Sequence, residues 1–452
     1  LWLLTAFAVG TLLARPLAAA ELPNILVILT DDQGRGDYSA YGTPDIHTPN
    51  IDRIFHEGME LTNFYANCCV CSPTRASLLS GRYPDRAGVP GVIRHTLDNS
   101  WGYLSPEATL LPELLNKRGY HTALIGKWHL GLQSPNTPTE RGFQFFHGFL
   151  GDMMDDYWSH RRGGHNFMRK NLEVIDPKGH ATDLFSDWAC DYLAERANSS
   201  PDQPFFLYLA YNAPHDPLQP PPEWLKKVQA REPQMTARRA QLVALIEHLD
   251  DGIGRVLKQL DEQNLAHNTL VIFMSDNGGV SGNGAINGPW RAGKQHMYEG
   301  GLRVPAAARW PGQIKPGSKA ERSLLTMDTF PTVCAAAGAG IPHNIDGVSY
   351  LGELVGQASE HPPRDLYFVR REGGANYGGL ESHALRRGDW KLVQDGAFLP
   401  LELYNLADDP YEKTNLVERN KPKVNELRAA MSRQIQQAGR VPWQPPVDQP
   451  VK

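Results

Sequence analysis

Ile25-Leu26-Val27-Ile28-Leu29-Thr30-Asp31-Asp32-Gln33-Gly34 is an unbroken apolar run that ends abruptly in two carboxylates. A strand without polar alternation is what a parallel sheet covered on both faces requires. Three further runs behave alike. Leu270-Val271-Ile272-Phe273-Met274 stops at Asp276-Asn277-Gly278-Gly279, Phe205-Phe206-Leu207-Tyr208-Leu209 runs into Asn212-Ala213-Pro214-His215, and Thr122-Ala123-Leu124-Ile125 leads to Gly126-Lys127-Trp128-His129. Open α/β sheets bind ligands outside the carboxyl ends of their strands, so the four polar clusters are expected at one edge. Helical patterns separate the strands. One runs from Leu110 to Arg118 and closes at Gly119; another, from about Thr236 to Gln263, carries Leu242, Leu245, Ile246, Leu249, Ile253 and Leu257 at helical spacing. This alternation predicts a doubly wound α/β core, a mixed and mostly parallel sheet flanked by helices.

Past about residue 355 the texture changes. A break at Pro362-Pro363 precedes strand-like Leu366-Tyr367-Phe368-Val369 and Trp390-Lys391-Leu392-Val393, a turn at Asp408-Asp409-Pro410 and a helix from about Lys421 to Gln437. These pieces predict a smaller C-terminal α+β domain over 356–440, an antiparallel sheet plus helix, beside a catalytic domain over 21–355. The Pro-rich stretch 441–452 reads as a flexible tail.

With 452 residues, 41% hydrophobic and 21% charged, the chain buries a large core, which excludes disordered and fibrous classes. A formal charge of −5 offers no global attraction for nucleic acid, so an anionic substrate must be drawn by a local patch. Residues 1–20 are an apolar run followed by small residues at Ala18 and Ala20, a signal-peptide pattern too short for a membrane span. Export to the periplasm or the exterior is therefore expected. The five cysteines, Cys68, Cys69, Cys71, Cys190 and Cys334, are too few for a disulfide scaffold. Their odd number leaves one thiol for another use, assigned to Cys71. Pairing among the others stays open.

Cys71-Ser72-Pro73-Thr74-Arg75-Ala76-Ser77-Leu78-Leu79-Ser80-Gly81-Arg82 reads as a helix with Pro73 in its first turn and Gly81 at its exit. Cys71 then sits where free backbone N–H groups converge, beside arginines and hydroxyls. Alone, such a cysteine reads as a buried structural thiol. Asp31, Asp32, Asp276 and Asn277 are hard oxygen donors suited to Ca²⁺ or Mg²⁺ rather than zinc. Helix capping is the plainer reading of Asp31-Asp32 by itself, but three uncompensated carboxylates at one sheet edge repel, and a cation relieves them.

The Cys71 stretch resembles the first signature of the type I, formylglycine-dependent sulfatases, arylsulfatase-like members of the alkaline phosphatase superfamily. Thr74 stands where Ser is commoner and Ser80 where Thr is, each keeping a hydroxyl. Gly119-Tyr120-His121-Thr122 through Gly126-Lys127-Trp128-His129 resembles the second signature. Further likeness lies at Asn212-Ala213-Pro214-His215, Gly293-Lys294, Tyr298 to Pro305 and Leu403-Tyr404-Asn405-Leu406, in family order from residue 23 to about 420.

The resemblance implies that a formylglycine-generating maturation enzyme oxidises Cys71 to Cα-formylglycine. It also implies one divalent cation, Ca²⁺ with Mg²⁺ as alternative, held by Asp31, Asp32, the residue at Cys71, Asp276 and Asn277. Asp276 would help deprotonate the attacking hydroxyl, and Arg75, Lys127 and Lys294 would carry charge on the transferring sulfuryl group. His215 and Lys294 would assist the departing alkoxide, and His129 would take the proton that releases sulfate. The oxidation has a chemical reason: a thiolate attacking sulfur leaves a stable S-sulfonate, whereas a hydrated aldehyde has a second hydroxyl to expel sulfate. Taken singly, Arg75, Lys127, His129, His215 and Lys294 have ordinary structural readings; together, beside four strand ends, they do not. Glu299 and Arg303 read as structural, tying a loop under the pocket.

The stretch from His147 to His165, with Asp152, Asp155, Asp156, Tyr157, Trp158, His160, Arg161 and Arg162, suits sugar hydroxyls or is simply a polar loop. Arg370, Arg371, Tyr377 and His383 are expected in loops that close the pocket. A sulfated carbohydrate is the expected substrate, with no nucleic acid and no membrane span involved. Two other readings compete. A phosphate or phosphonate ester hydrolase of the same superfamily would usually hold two zinc ions with His ligands, against which Asp276-Asn277 and Cys71 speak. An inactive module that binds sulfated glycans would show degenerate metal ligands, and none of the matching positions is degenerate.

Overall fold

The computed structural model describes residues 22–96, 99–357, 363–373 and 380–445. The expected signal peptide at 1–20, Pro362, Tyr377 and the end of the tail lie outside the described residues.

The first apolar run forms the strand Asn24–Thr30, and its side chains divide as a two-sided sheet demands. Ile25, Val27 and Leu29 enter one buried cluster, and Leu26 and Ile28 enter another on the opposite face. Each such side chain, fully buried, contributes about 1.5–3 kcal/mol. Asn24–Thr30 pairs in parallel with Phe205–Ala210 on one side and Thr269–Ser275 on the other. Phe205–Ala210 continues in parallel to His121–Lys127, and that strand to Phe145–Phe149. Outside these five, Ala306–Arg309 and Met59–Leu61 add antiparallel on one flank, then Ser318–Ala320 in parallel. Met168–Lys170 and Glu173–Val174 add antiparallel on the other, giving ten strands. The sheet is mixed and mostly parallel, as the sequence predicts. Register levels the strand ends: Thr30 lies opposite Ser275, Leu29 opposite Ala210, and Ala210 opposite Gly126.

Helices Pro49–His56, Ala181–Ser199 and Ala237–Glu262 cover one face. Thr236 begins the last of these, its hydroxyl accepting from the Arg239 N–H at 3.4 Å. Helices Cys71–Ser80, Leu111–Lys117 and Thr329–Ala336 cover the other face. The C-terminal region forms an antiparallel sheet of Asp365–Glu372, Leu380–Arg387, Trp390–Gln394 and Glu402–Asn405, closed by helix Lys421–Ala438. Its apolar face, with Phe368, Leu385, Leu392 and Leu427, shares a cluster with Cys68, Cys69, Tyr83 and Leu302 of the larger unit. The small sheet is thus packed against the segment that leads into the Cys71 helix.

The first residues of the tail make contacts with the larger unit: Trp443 lies on Trp101 with ring centroids 5.6 Å apart, and Gln444 donates to the Ser100 carbonyl at 3.2 Å. All five cysteines are free thiols, so no pair competes with Cys71 for a disulfide.

Candidate active site

Each strand end delivers one part of the site. After Thr30 the chain turns at Asp31 and Asp32, with Asp32 in the left-handed region at φ 65°. The Asp31 N–H donates to the Ala213 carbonyl at 3.1 Å and the Asp32 N–H to Asp276 Oδ1 at 3.2 Å, which fixes both turns to their neighbours. Lys127 is the last residue of its strand, and Asp276 follows Ser275 directly. Cys71 opens its helix and is 3% exposed. Its Sγ lies 3.3 Å from Asp31 Oδ1 and 3.8 Å from Asp32 Oδ1.

Three cations meet three carboxylates here. Arg75 directs Nε and Nη2 to Asp276 Oδ2 at 3.1 and 2.8 Å, and its Nη1 donates to the Lys127 carbonyl at 3.3 Å. Lys127 pairs with Asp31. Lys294 Nζ lies 2.6 Å from Asp32 Oδ2 and 3.0 Å from His215 Nε2. The expectation of uncompensated carboxylates is therefore corrected: Arg75, Lys127 and Lys294 already balance Asp31, Asp32 and Asp276, and repulsion alone does not call for a cation.

The charges reset the titrations. Burial would lift Asp31, but Lys127, His215, Arg75 and Lys294 outweigh it and hold the carboxyl well below its usual range. Burial, and then Asp31, push Asp276 up to about 7 against the pull of Arg75. Burial, then Asp276 and Asp31, push the Cys71 thiol well above its ordinary value, so the unmodified side chain is a neutral thiol and a poor nucleophile. Burial, then Lys127 and Arg75, hold His129 well below its usual range. His129 is neutral, its Nε2–H donating to the Ile93 carbonyl at 2.8 Å, and its Nδ1 is left as a bare acceptor. At the site's mouth His215 is 12% and Lys294 11% exposed at the side chain. His215 donates from Nδ1 to the Asp216 carbonyl at 2.8 Å, so its Nε2 accepts from Lys294.

Several acceptors in this setting are unspent. The Asn277 amide gives its N–H groups to Asp32 Oδ1 at 2.8 Å and the Gly278 carbonyl at 2.9 Å, while its Oδ1, fully buried, has no partner. A buried amide oxygen without a donor is costly unless something electropositive comes to it. Together with Asp31 and Asp32, it forms the hard oxygen set a Ca²⁺ or Mg²⁺ ion needs. Metal-ligating atoms of Asp31, Asp32, Cys71 and His215 all lie within 4.8 Å of one another. A second such group, His180, Asp183 and His248, differs in kind. His180 Nδ1 accepts from the Thr182 N–H at 3.2 Å as a helix cap and its Nε2–H donates to the Gln219 carbonyl at 3.0 Å, so both ring nitrogens are spent.

Sequence reasoning missed the supports. Tyr157 OH donates to the carbonyls of Asn212 and His215 at 2.8 and 2.9 Å, holding the turn that carries His215. The Ile93 N–H donates to Ser72 Oγ at 3.1 Å, linking the residue beside Cys71 to the carbonyl that orients His129. Neither tie has a sequence signal, because each spans two loops. Glu299 and Arg303 are structural: Glu299 is buried against Lys391 at 2.9 Å, and Arg303 donates to the Thr62 carbonyl at 3.0 Å.

The polar stretch 147–165 is largely committed to its own folding. Arg162 makes a two-pronged pair with Asp152 at 2.9 and 3.0 Å and reaches Asp155 at 2.8 Å, while Asp156 accepts from the N–H groups of Trp158 and Ser159. Trp158, 45% exposed, stands free of these bonds at its side chain's outer edge. Arg370, Arg371 and His383 are corrected in position: they lie on strands, not pocket-closing loops, with Arg371 on Glu381 and His383 between Tyr367 and Glu381.

The chain is similar to known proteins along most of its length. Residues 23–339 match the family described as Sulfatase, and residues 290–440 match the family described as N-sulphoglucosamine sulphohydrolase, C-terminal. N-acetylgalactosamine-6-sulfatase of Homo sapiens is 34% identical over 368 residues, covering 76% of this chain and 68% of the relative. Arylsulfatase A of Homo sapiens is 32% identical over 463 residues, covering 92% and 86%. Among solved structures, Ps i-CgsB in complex with k-i-k-neocarrahexaose superposes with a TM-score of 0.83 at 30% identity, covering 94% of each chain.

Proposed function

The chain belongs to the sulfatase family and is a sulfatase, and within that family we propose that it removes sulfate from a sulfated carbohydrate, using formylglycine made from Cys71 and one divalent cation. The observation that carries this is the buried set of three carboxylates and three cations around Cys71, with His215 and Lys294 its most exposed members. The relatives named N-acetylgalactosamine-6-sulfatase, and the neighbour solved in complex with k-i-k-neocarrahexaose, support a sugar substrate.

Asp31, Asp32, Asp276, Asn277 and the side chain at position 71 would hold the cation, Ca²⁺ by donor type with Mg²⁺ as alternative. Bound there, it would supply Lewis-acid polarisation of a sulfate oxygen. The hydrated aldehyde would supply a hydroxyl for attack at sulfur and a second hydroxyl for release.

The chain's own residues do the rest. Asp276 stands to accept the proton of the attacking hydroxyl. Arg75, fixed by Asp276 and the Lys127 carbonyl, and the ammonium groups of Lys127 and Lys294 face charge that builds on the sulfuryl oxygens; one such donor is worth about 10²–10³ in rate. Lys294, whose ammonium donates to His215 Nε2 at 3.0 Å, would offer the leaving oxygen a proton, and His215 would assist through that hydrogen bond. His129, oriented by the Ile93 carbonyl, keeps Nδ1 bare to receive the proton that frees sulfate.

The signal-peptide pattern at 1–20 supports export to the periplasm or exterior, and a formylglycine-generating enzyme is the implied maturation partner. Among the described residues no helix is long and apolar enough to cross a membrane. A panel of sulfated mono- and oligosaccharides, with sulfate read by ion chromatography, tests the reading. Sulfate release from at least one sugar is expected; faster release of phosphate from matched phosphate esters would overturn it.

A further inference from the structure

The small C-terminal sheet reaches the reacting groups through one run of buried charge. Arg370 and Glu372, two apart on strand Asp365–Glu372, point to the same face and are 2% and 1% exposed. Arg370 Nε donates to Glu372 Oε1 at 2.8 Å, and the other Glu372 oxygen receives Arg94. From Arg370 the run continues into the larger unit, where its Nη1 donates to the Gln295 carbonyl at 3.0 Å.

Gln295 is held in an unfavourable shape. Its φ is 79°, a left-handed value that a residue with a Cβ adopts at a cost of about 1–3 kcal/mol and keeps only when its surroundings over-determine it. The surroundings here are the Arg370 guanidinium on its carbonyl and the Cys69 carbonyl, 2.8 Å away, on its N–H. Immediately before it, the Lys294 N–H donates to the Gly279 carbonyl at 3.0 Å and Nζ reaches Asp32 and His215. Just after it, Asp395 of the small sheet takes the Met297 N–H at 2.7 Å and His296 Nδ1 at 2.7 Å. The backbone that launches Lys294 is thus suspended between the large sheet's rim and the small sheet. The second arm of Glu372 leads to Arg94, which follows Ile93, the residue whose carbonyl orients His129.

We propose that Arg370 and Glu372 are positioning residues for the sulfatase reaction: by holding the Gln295 carbonyl they place the Lys294 ammonium against the leaving oxygen. The inference rests on the role given to Lys294 above. A merely structural ion pair would lower stability when broken and slow all substrates alike. A positioning pair fails selectively, because help to a leaving group matters little when that group departs easily as a nitrophenolate and much when it departs as a sugar alkoxide.

The experiment uses the full, matured chain and compares wild type with Arg370→Gln, Arg370→Lys and Glu372→Gln on 4-nitrophenyl sulfate and on a sulfated sugar that wild type hydrolyses. For Arg370→Gln, kcat on the sugar sulfate is expected to fall about 10²-fold, the scale of a misplacement of about 1 Å, while 4-nitrophenyl sulfate loses several-fold less and KM stays within about a factor of two. Arg370→Lys, which keeps a donor without the fork, is expected to recover part of the loss. Equal losses on both substrates, or unchanged kcat on the sugar sulfate, would overturn the inference. Should Arg370→Gln fail to fold, Arg370→Lys and the near-isosteric Glu372→Gln decide by the same ratio. Absence of sulfate release by wild type from either substrate would instead sink the sulfatase reading on which the proposal stands.

Discussion

Lys127 and Lys391 are both ammonium groups with no exposed surface, yet the clusters around them have opposite characters. Lys391 sits between Glu299 at 2.9 Å and Glu412 at 2.8 Å, Tyr65 OH donates to the second Glu299 oxygen at 2.7 Å, and the Glu299 N–H donates to Glu412 at 2.7 Å. Burial pushes Glu412 up to about 7 even against Lys391, so one of the two acids is poised to be neutral while both stay within ion-pair reach of the one ammonium. Around Lys127 the charges also balance, but Asn277 Oδ1 and His129 Nδ1 are left without partners, and His215 and Lys294 are 12% and 11% exposed. Burying charge does not mark a site for chemistry. Acceptors left unspent beside partly exposed groups do.

The contrast can be broken at each cluster in turn. Cys71→Ala removes the only side chain in the site that maturation can convert, so sulfate release should drop to background while the folded state persists, as read by activity and thermal melting. Chelation of divalent cations should come next in size: near-complete loss of activity, restored by added Ca²⁺, with a lower melting temperature because a ligand bound only by the native state stabilises it. Lys127→Ala should lower kcat by about 10²–10³ through loss of one charge-stabilising donor, with the fold retained. Lys391→Met should do the reverse. Removing one partner of a buried pair destabilises by about 3–5 kcal/mol, seen in denaturant melts, whereas kcat of the protein that remains folded should change little.

The smallest effect concerns Glu381, which a hydrogen bond from His383 pulls down to about 2 although burial opposes it. A carboxylate lowered on folding contributes stability that is fully present above its unfolded value near 4.5 and is lost as pH falls from there toward 2. Because Glu381 is 45% exposed at the side chain, the contribution is at most about 1 kcal/mol. Glu381→Gln should therefore lower the neutral plateau of the stability curve by at most about 1 kcal/mol and leave stability near pH 2 unchanged, which flattens the acid limb slightly.

The large sheet was legible because its central strands are buried on both faces, and such strands announce themselves as apolar runs with polar stops. Asp31, Lys127, His215 and Asp276 could be brought to one edge from those stops alone. The small sheet was half legible. Leu366 to Val369 and Trp390 to Val393 stand out, whereas Leu380–Arg387 does not, since only Ser382, His383, Ala384 and Leu385 are buried and no alternation shows. Charge compensation in the site was illegible for a different reason. Arg75 meets Asp276 across 201 residues and Lys294 meets Asp32 across 262, and no local pattern encodes such a pairing. Arg370, expected in a pocket-closing loop, lies on strand Asp365–Glu372 with its guanidinium on Glu372 and the Gln295 carbonyl, partners that no local pattern reveals.

The most direct measurement is sulfate release from a sulfated sugar by one preparation before and after conversion of position 71, the extent of conversion being read by mass spectrometry of the peptide that carries it. Turnover should rise in proportion to the aldehyde fraction and vanish in Cys71→Ala. Sulfate release at the wild-type rate from protein carrying an unconverted thiol, or from Cys71→Ala itself, would contradict the chemistry assigned to this edge of the sheet.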